Sequence, residues 1–202
     1  MKLLIFSLLT LFSFFGNTQI KLKTTAPLMD KSMMNTQESS PTTLAANKKE
    51  NGLIVIFSCN TCPFVVGTPD FTGWEKQYNE LYNMALKANI GFVLINSHEK
   101  KRTSDDSFEE MKIRAIKMTY EMPYLLDENS ELANAMDAKI TPHAFFFDKN
   151  NKLVYAGSID NIWDGNRKKD EQYLRNAVQS MLNGKKIKPN FTPPKGCSIK
   201  RL

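Results

Sequence analysis

A chain of 202 residues is long enough for one sizeable domain with extensions. Its formal charge of +6 is spread over short lysine runs, without the interleaved aromatics and arginines of a nucleic-acid surface, so the expectation is a solvated basic face and no nucleic-acid partner. A closed zinc site needs four Cys or His ligands, and the three cysteines and two histidines include no second C-x-x-C and no H-x-x-H; neither a metal nor an organic cofactor is expected.

Met1-Lys2 followed by the apolar run Leu3 to Phe15 is too short to span a bilayer, and Gly16-Asn17-Thr18 supplies small and polar residues for cleavage. Residues 1–18 therefore read as a secretory signal peptide, cut near Gln19. The expected location is the periplasm, with no stable membrane insertion after cleavage, in a compartment where disulfides persist. Residues 19–30 read as a flexible leader, 31–184 as the domain, and 185–202, which carry Cys197, as a tail over the body or loose.

Within the domain, residues 32–35 and 42–44 suggest a weak hairpin. Leu53–Ser58 is a run of apolar, β-favouring residues and predicts a buried strand. Cys59-Asn60-Thr61-Cys62-Pro63 ends it, and proline suits the first turn of a helix, where its missing N–H is no loss. Gly67 and Pro69 predict an interruption, after which Trp74, Tyr78, Leu81, Tyr82 and Ala85 continue a helical face to about Lys87. Residues 91–96 predict a second buried strand. Asp106 to Glu109 and Ser107 to Glu110 both fit a capping box, opening a helix with Phe108, Met111, Ala115 and Met118 on one face. Residues 123–126 predict a short strand and 130–138 a helix with Leu132 and Met136 inward. Thr141-Pro142 opens an apolar strand through Phe145-Phe146-Phe147, residues 150–151 turn the chain, and Leu153–Gly157 returns it. Asp170 is the expected cap of a last helix that ends at Gly184. Strand–helix alternation followed by a hairpin predicts an α/β fold, a mixed central sheet with helices on both faces.

The dithiol is the chemical centre of this pattern. At the start of a helix, two cysteines three residues apart lie on one face, and the positive helix end favours a thiolate. The expected roles are Cys59 as exposed nucleophile and Cys62 as the more buried resolving thiol. Inert bracing by a structural disulfide is the plainer alternative. His143 either approaches the sulfurs or points away; His98 reads as a surface residue, Trp74 as packing, and Trp163 is open. Cys197 has three readings: a resolving thiol, a site for mixed disulfides, or a passive tail thiol, the last ranked first.

Cys59-Asn60-Thr61-Cys62-Pro63 after a strand, with Thr141-Pro142 before the hairpin, resembles the thioredoxin-like superfamily. The resemblance implies a three-layer α/β/α fold in which Thr141 and Pro142 face the dithiol and hold an extended substrate. The additional helix and strand over 107–126 are similar to the insertion of the redoxin branch, which holds alkyl hydroperoxide reductase, thiol-specific antioxidant proteins and exported thiol-disulfide reductases. Phe57–Val65, Leu94–Ser97, Asp106–Phe108, Pro123–Asp127, Thr141–His143 and Gly196–Lys200 resemble a peroxiredoxin-like subgroup. One departure stands out: Cys59 occupies the place of the threonine that peroxiredoxins carry three residues before the attacking cysteine. The implied activity is that of an exported thiol-disulfide oxidoreductase acting on a protein or small-molecule disulfide, with a redox partner to reset the pair. The alternatives are a peroxiredoxin-like thiol peroxidase and a redox-inert binding module.

Overall fold

The computed structural model describes residues 21–202. The signal-peptide reading of 1–18 lies outside the described residues. The strands are β1 (Met33–Asn35), β2 (Ser40–Thr42), β3 (Gly52–Ser58), β4 (Gly91–Asn96), β5 (Tyr124–Leu126), β6 (Ile140–Thr141), β7 (His143–Asp148), β8 (Leu153–Gly157) and β9 (Cys197–Ser198). The helices are α1 (Leu44–Asn47), α2 (Pro63–Val66), α3 (Tyr78–Lys87), α4 (Phe108–Lys117), α5 (Glu131–Ala135) and α6 (Tyr173–Leu182). A seven-stranded sheet runs β2-β1-β5-β4-β3-β7-β8, and β6 pairs with β9 in a separate ribbon. β3, β4 and β5 are parallel, joined by crossovers through α3 and α4, while β7, β8 and the N-terminal hairpin are antiparallel.

β3 is buried along its whole length because both faces of the sheet are covered. Ile54 and Ile56 point into one core with Trp74, Tyr78 and Leu81 before and along α3, Met111 of α4 and Leu174 of α6. Leu53, Val55 and Phe57 point the other way, to Leu44 of α1 and Leu132 of α5. The result is the expected three-layer α/β/α arrangement around a mixed sheet.

Several local expectations are corrected. The second hairpin strand stops at Thr42, because the Thr43 hydroxyl accepts the Ala46 N–H at 3.0 Å and starts α1. Ser107 alone caps α4, accepting the Glu110 N–H at 3.2 Å; Asp106 is drawn inward instead. α5 is shorter than predicted, and the buried Asp127 carboxylate accepts the N–H groups of Leu132 and Ala133 at 2.9 and 3.0 Å. Asp170 does not cap α6; its carboxylate pairs with Arg167 at 2.6 Å, and Gln172 is the cap residue. Residues 21–30 are not a free leader. Lys23 N–H donates to Leu153 O at 2.8 Å, Ala26 N–H to Asn151 O at 2.8 Å, and Ala26 is buried. The tail is docked as well: Ala156 N–H donates to Asn190 O, and Thr192 N–H returns to Ala156 O. β8 is an edge strand, and its unpaired backbone groups recruit both segments.

The inserted helix α4 is clamped by an ion pair to the turn that precedes α3 in the same layer. Glu75, 4% exposed, accepts from the Arg114 guanidinium and from the Tyr120 hydroxyl, the latter at 3.0 Å. A buried carboxylate that loses its cation keeps the desolvation cost without the attraction. Arg114→Met should lower the unfolding free energy by about 3 kcal/mol. Adding Glu75→Gln should restore part of it; denaturant titration of both variants checks this.

Candidate active site

The sheet delivers the dithiol and the Thr-Pro segment to the same place. β3 and β7 run antiparallel with Phe57 opposite His143, so the end of β3 meets the start of β7. Cys59 follows β3, and Thr141-Pro142, a cis peptide, precedes β7. Cys62 is the N-cap residue of α2 and Pro63 its first residue, as the sequence pattern predicts.

Thr141 touches both sulfurs. Its Oγ1 lies 3.2 Å from Cys59 Sγ, and its carbonyl accepts from Cys62 Sγ at 3.1 Å. Cys62 N–H donates to Cys59 Sγ at 3.2 Å, which folds the C-x-x-C loop over the first sulfur. Both thiols are free, and they are 1% and 3% exposed. The expected exposed Cys59 is thus corrected: it is the more buried of the pair. Burial, then the hydrogen bond and charge of Cys62, push the Cys59 thiol well above its ordinary range. Cys62 moves the other way, to about 5. The Cys59 thiol is the largest contributor; burial opposes it, and the Cys197 thiol and the backbone N–H groups of Val65 and Cys197 also stabilise the negative sulfur. The two thiols titrate as a coupled pair in which Cys62 ionises first; while it keeps its proton it donates to the Thr141 carbonyl, and on ionising it gives that contact up.

A buried polar cluster, absent from the sequence reading, fixes the loop between the cysteines. Asp106 is fully buried, and its Oδ1 accepts Asn60 N–H and Asn96 Nδ2 at 2.8 Å each. Tyr124 OH donates to Asn60 Oδ1 at 3.0 Å and accepts from Asn96 Nδ2 at 2.9 Å. Lys101 Nζ donates to Thr61 Oγ1 at 3.0 Å. His98 is 2% exposed rather than on the surface; Nδ1 lies 3.5 Å from Asp106 Oδ2, and burial lowers its pKa to about 4. The signal for this cluster was the pair Asp105-Asp106 after a polar loop, which the capping pattern obscured.

His143 does not join the thiols. It is paired with Phe57, whose side chain enters the core on the other side of the sheet, and its ring lies 4.3 Å from that of Phe145. Trp74 packs as expected, with Nε1 donating to Asp160 at 2.7 Å. Trp163 lines a cavity of about 360 Å³ beside α2, together with Pro63, Phe64, Phe71 and Arg167. A larger cavity of about 610 Å³ is lined by Leu22, Asp148 and Met181. Asp148 lies opposite Gly52, at the far end of β3 from the thiols, so that cavity is remote from the chemistry.

Cys197, ranked first as a passive tail thiol, is instead at the site. It lies opposite Thr141 in the β6–β9 ribbon. Gly196 permits this approach, since a Cβ there would stand 2.0 Å from Thr141 O. Among the described residues, no group of acidic, His and Cys side chains is arranged to hold a metal ion.

His143 supplies a pH test of this placement. Both ring nitrogens are buried without a hydrogen-bond partner, and burial lowers its pKa to about 3. Unfolded, it charges near the ordinary value of about 6.5, so its contribution to stability is complete above that pH and is lost as pH falls toward 3. In denaturant titrations at pH 6.5, 5.5 and 4.5, His143→Phe should remove about 1 kcal/mol per pH unit of the acid-side decline.

Comparisons with known proteins bear on the fold and the family. A family model described as Redoxin matches residues 21–174. A search of curated proteins gave no match. An uncharacterized conserved protein from Geobacillus kaustophilus is 30% identical, with 92% of this chain and 94% of that chain covered and a TM-score of 0.80. Peroxiredoxin Q from Xanthomonas campestris is 19% identical over 81% of this chain and 96% of its own, with a TM-score of 0.54. The thioredoxin domain of a thiol-disulfide oxidoreductase from Bacteroides vulgatus is 13% identical over 82% and 100%, with a TM-score of 0.57. The latter two share the fold. A model match over well more than half of the chain, on a thioredoxin-like framework, establishes that the chain belongs to the Redoxin family.

Proposed function

We propose that the protein is an exported thiol-disulfide oxidoreductase working through Cys59 and Cys62. One observation carries the reading: the sulfurs of Cys59 and Cys62 both lie against Thr141, at 3.2 and 3.1 Å, at the start of α2 and next to the cis Thr141-Pro142 peptide, where Cys62 is the thiol that ionises more easily. The Cys62 thiolate attacks a substrate disulfide, the S–S bond of the substrate breaks, and a mixed disulfide forms. The leaving thiolate takes up a proton. Cys59 then loses its proton and attacks Cys62 sulfur, releasing the second substrate thiol and closing the Cys59–Cys62 disulfide. Two electrons pass to the substrate, and a redox partner returns them. The substrate is a protein or small-molecule disulfide. The aromatic cavity next to Pro63 supplies an apolar contact beside the sulfurs. Residues 1–18 direct export, and no described helix is long and apolar enough to cross a membrane.

A second reading is peroxide reduction at Cys62, favoured by the position of the thiolate at the cysteine that precedes Pro63. Two features weigh against it. Cys59 stands in place of the threonine, and the guanidinium of Arg102 is taken up by Glu99 and by the backbone carbonyls of Asn96 and Asp106.

Reduction of insulin disulfides with a dithiol as electron donor should proceed above the rate of the donor alone. Cys62→Ser should abolish it, and Cys59→Ser should stop turnover after the mixed disulfide. Hydrogen peroxide consumption under the same conditions should stay at the level of free thiol. Rapid peroxide loss that persists in Cys59→Ser would favour the second reading. For export, N-terminal sequencing of the mature protein should begin near Gln19.

A further inference from the structure

The tail lies where an incoming chain is expected. The resemblance assigns Thr141 and Pro142 to holding a substrate's extended backbone; here the chain's own β9 lies antiparallel to β6, Cys197 opposite Thr141 and Ser198 opposite Ile140. Ile199 N–H donates to Lys139 O at 2.9 Å and Lys100 N–H to Lys200 O at 2.8 Å, so the segment is anchored beyond the pair. Ile199 is buried in the second core. On the other side, Gly196 packs against the Thr141-Pro142 peptide with no room for a side chain. The outcome is a cysteine held beside the dithiol by backbone pairing.

The contact is directed at one sulfur. Cys197 is paired with Thr141, whose carbonyl is 3.1 Å from Cys62 Sγ, and packs against the core that contains Cys62; its thiol and N–H also favour the ionised form of Cys62. The thiols are also graded in depth. Cys59 and Cys62 are buried at 1% and 3% exposure, whereas Cys197 is only partly buried. A bulky partner therefore meets Cys197 before it meets either sulfur of the C-x-x-C loop.

We propose that Cys197 is a third redox-active thiol, which forms a disulfide with Cys62 and passes electrons between an external dithiol and the buried Cys59/Cys62 pair. This rests on the dithiol reading above. In the oxidised protein the Cys197 thiolate, having given up its proton to solvent, attacks Cys62 sulfur. The Cys62–Cys197 bond forms, the Cys59–Cys62 bond breaks, and Cys59 leaves as a thiolate that takes a proton; no net oxidation occurs. An external dithiol then attacks Cys197 sulfur, Cys62 leaves as a thiolate, and the second thiol of the partner closes its own disulfide and frees Cys197. The partner has lost two electrons and the three cysteines of the chain are reduced.

The charge arrangement times the exchange. While Cys62 is a thiolate, burial and that neighbour hold the Cys197 thiol at about 11, so it stays protonated and inert. Once Cys62 is tied up in a disulfide the like charge is gone, and deprotonation of Cys197 becomes easier.

The test uses the full chain, oxidised with one equivalent of diamide, alkylated and digested without reduction for peptide mass spectrometry. Cys59→Ser should give monomer with the Cys62 and Cys197 peptides linked, and adding Gly196→Ala, which displaces the strand without removing a thiol, should lower that link by about ten-fold. Cys197→Ser should still form the Cys59–Cys62 disulfide, but its reduction by a protein dithiol should be about ten-fold slower than in wild type. Formation of Cys59–Cys62, with Cys197 always free for alkylation and reduction rates unchanged in Cys197→Ser, overturns the third-thiol role and leaves the dithiol function standing. Absence of both linkages overturns both.

Discussion

The structure turns on Thr141, which holds two segments distant in sequence, the C-x-x-C loop and the tail, through three separate groups. Its hydroxyl meets Cys59, its carbonyl meets Cys62, and its backbone pairs with Cys197. β3 supplies the first two, and the tail supplies the third only because the ribbon at Thr141 receives it. The mixed sheet is what makes this contact possible, because the antiparallel β3–β7 pairing puts the end of one strand at the start of the other.

That contact decides the protonation pattern. Two thiols in a dry site cannot both ionise readily, and the more deeply buried sulfur ionises last. Cys59 is the deeper of the two and faces the carboxylate of Asp106, and burial outweighs the Cys62 N–H and the Thr141 hydroxyl that approach its sulfur. Asp106 also holds the loop itself, through Asn60 N–H. The polar cluster around it serves to position the thiols rather than to react. Together these features separate the site into a reactive sulfur, a proton-bearing neighbour and a rigid base.

Much of this was legible in the sequence, and for identifiable reasons. The strand into C-x-x-C-P, the break at Gly67, and the Thr-Pro opening of the hairpin each depend on residues adjacent in the chain. Periodicity and proline geometry therefore report them directly. The roles within the dithiol were not legible, because depth and donor count come from α2, the Thr141 carbonyl and the tail acting at once. Asp106 looked like a helix cap since its neighbour Ser107 is one. Buried His98 looked exposed since its loop is polar. The leader read as loose, and the tail as either docked or loose, because low hydrophobicity says nothing of an edge strand elsewhere that needs partners. Cys197 lay 135 residues beyond Cys62 in the chain, and only the fold could show that the gap closes.

The central claim is that the two buried thiols titrate apart, Cys62 first and Cys59 last. Carbon-13 resonance of the labelled cysteine Cβ atoms, followed from pH 3 to pH 11 in the reduced full chain, reads each thiol separately. The account predicts that Cys62 titrates first, with a midpoint at about 5, and that Cys59 stays protonated beyond pH 9. A Cys59 signal that titrates below that of Cys62 would contradict it.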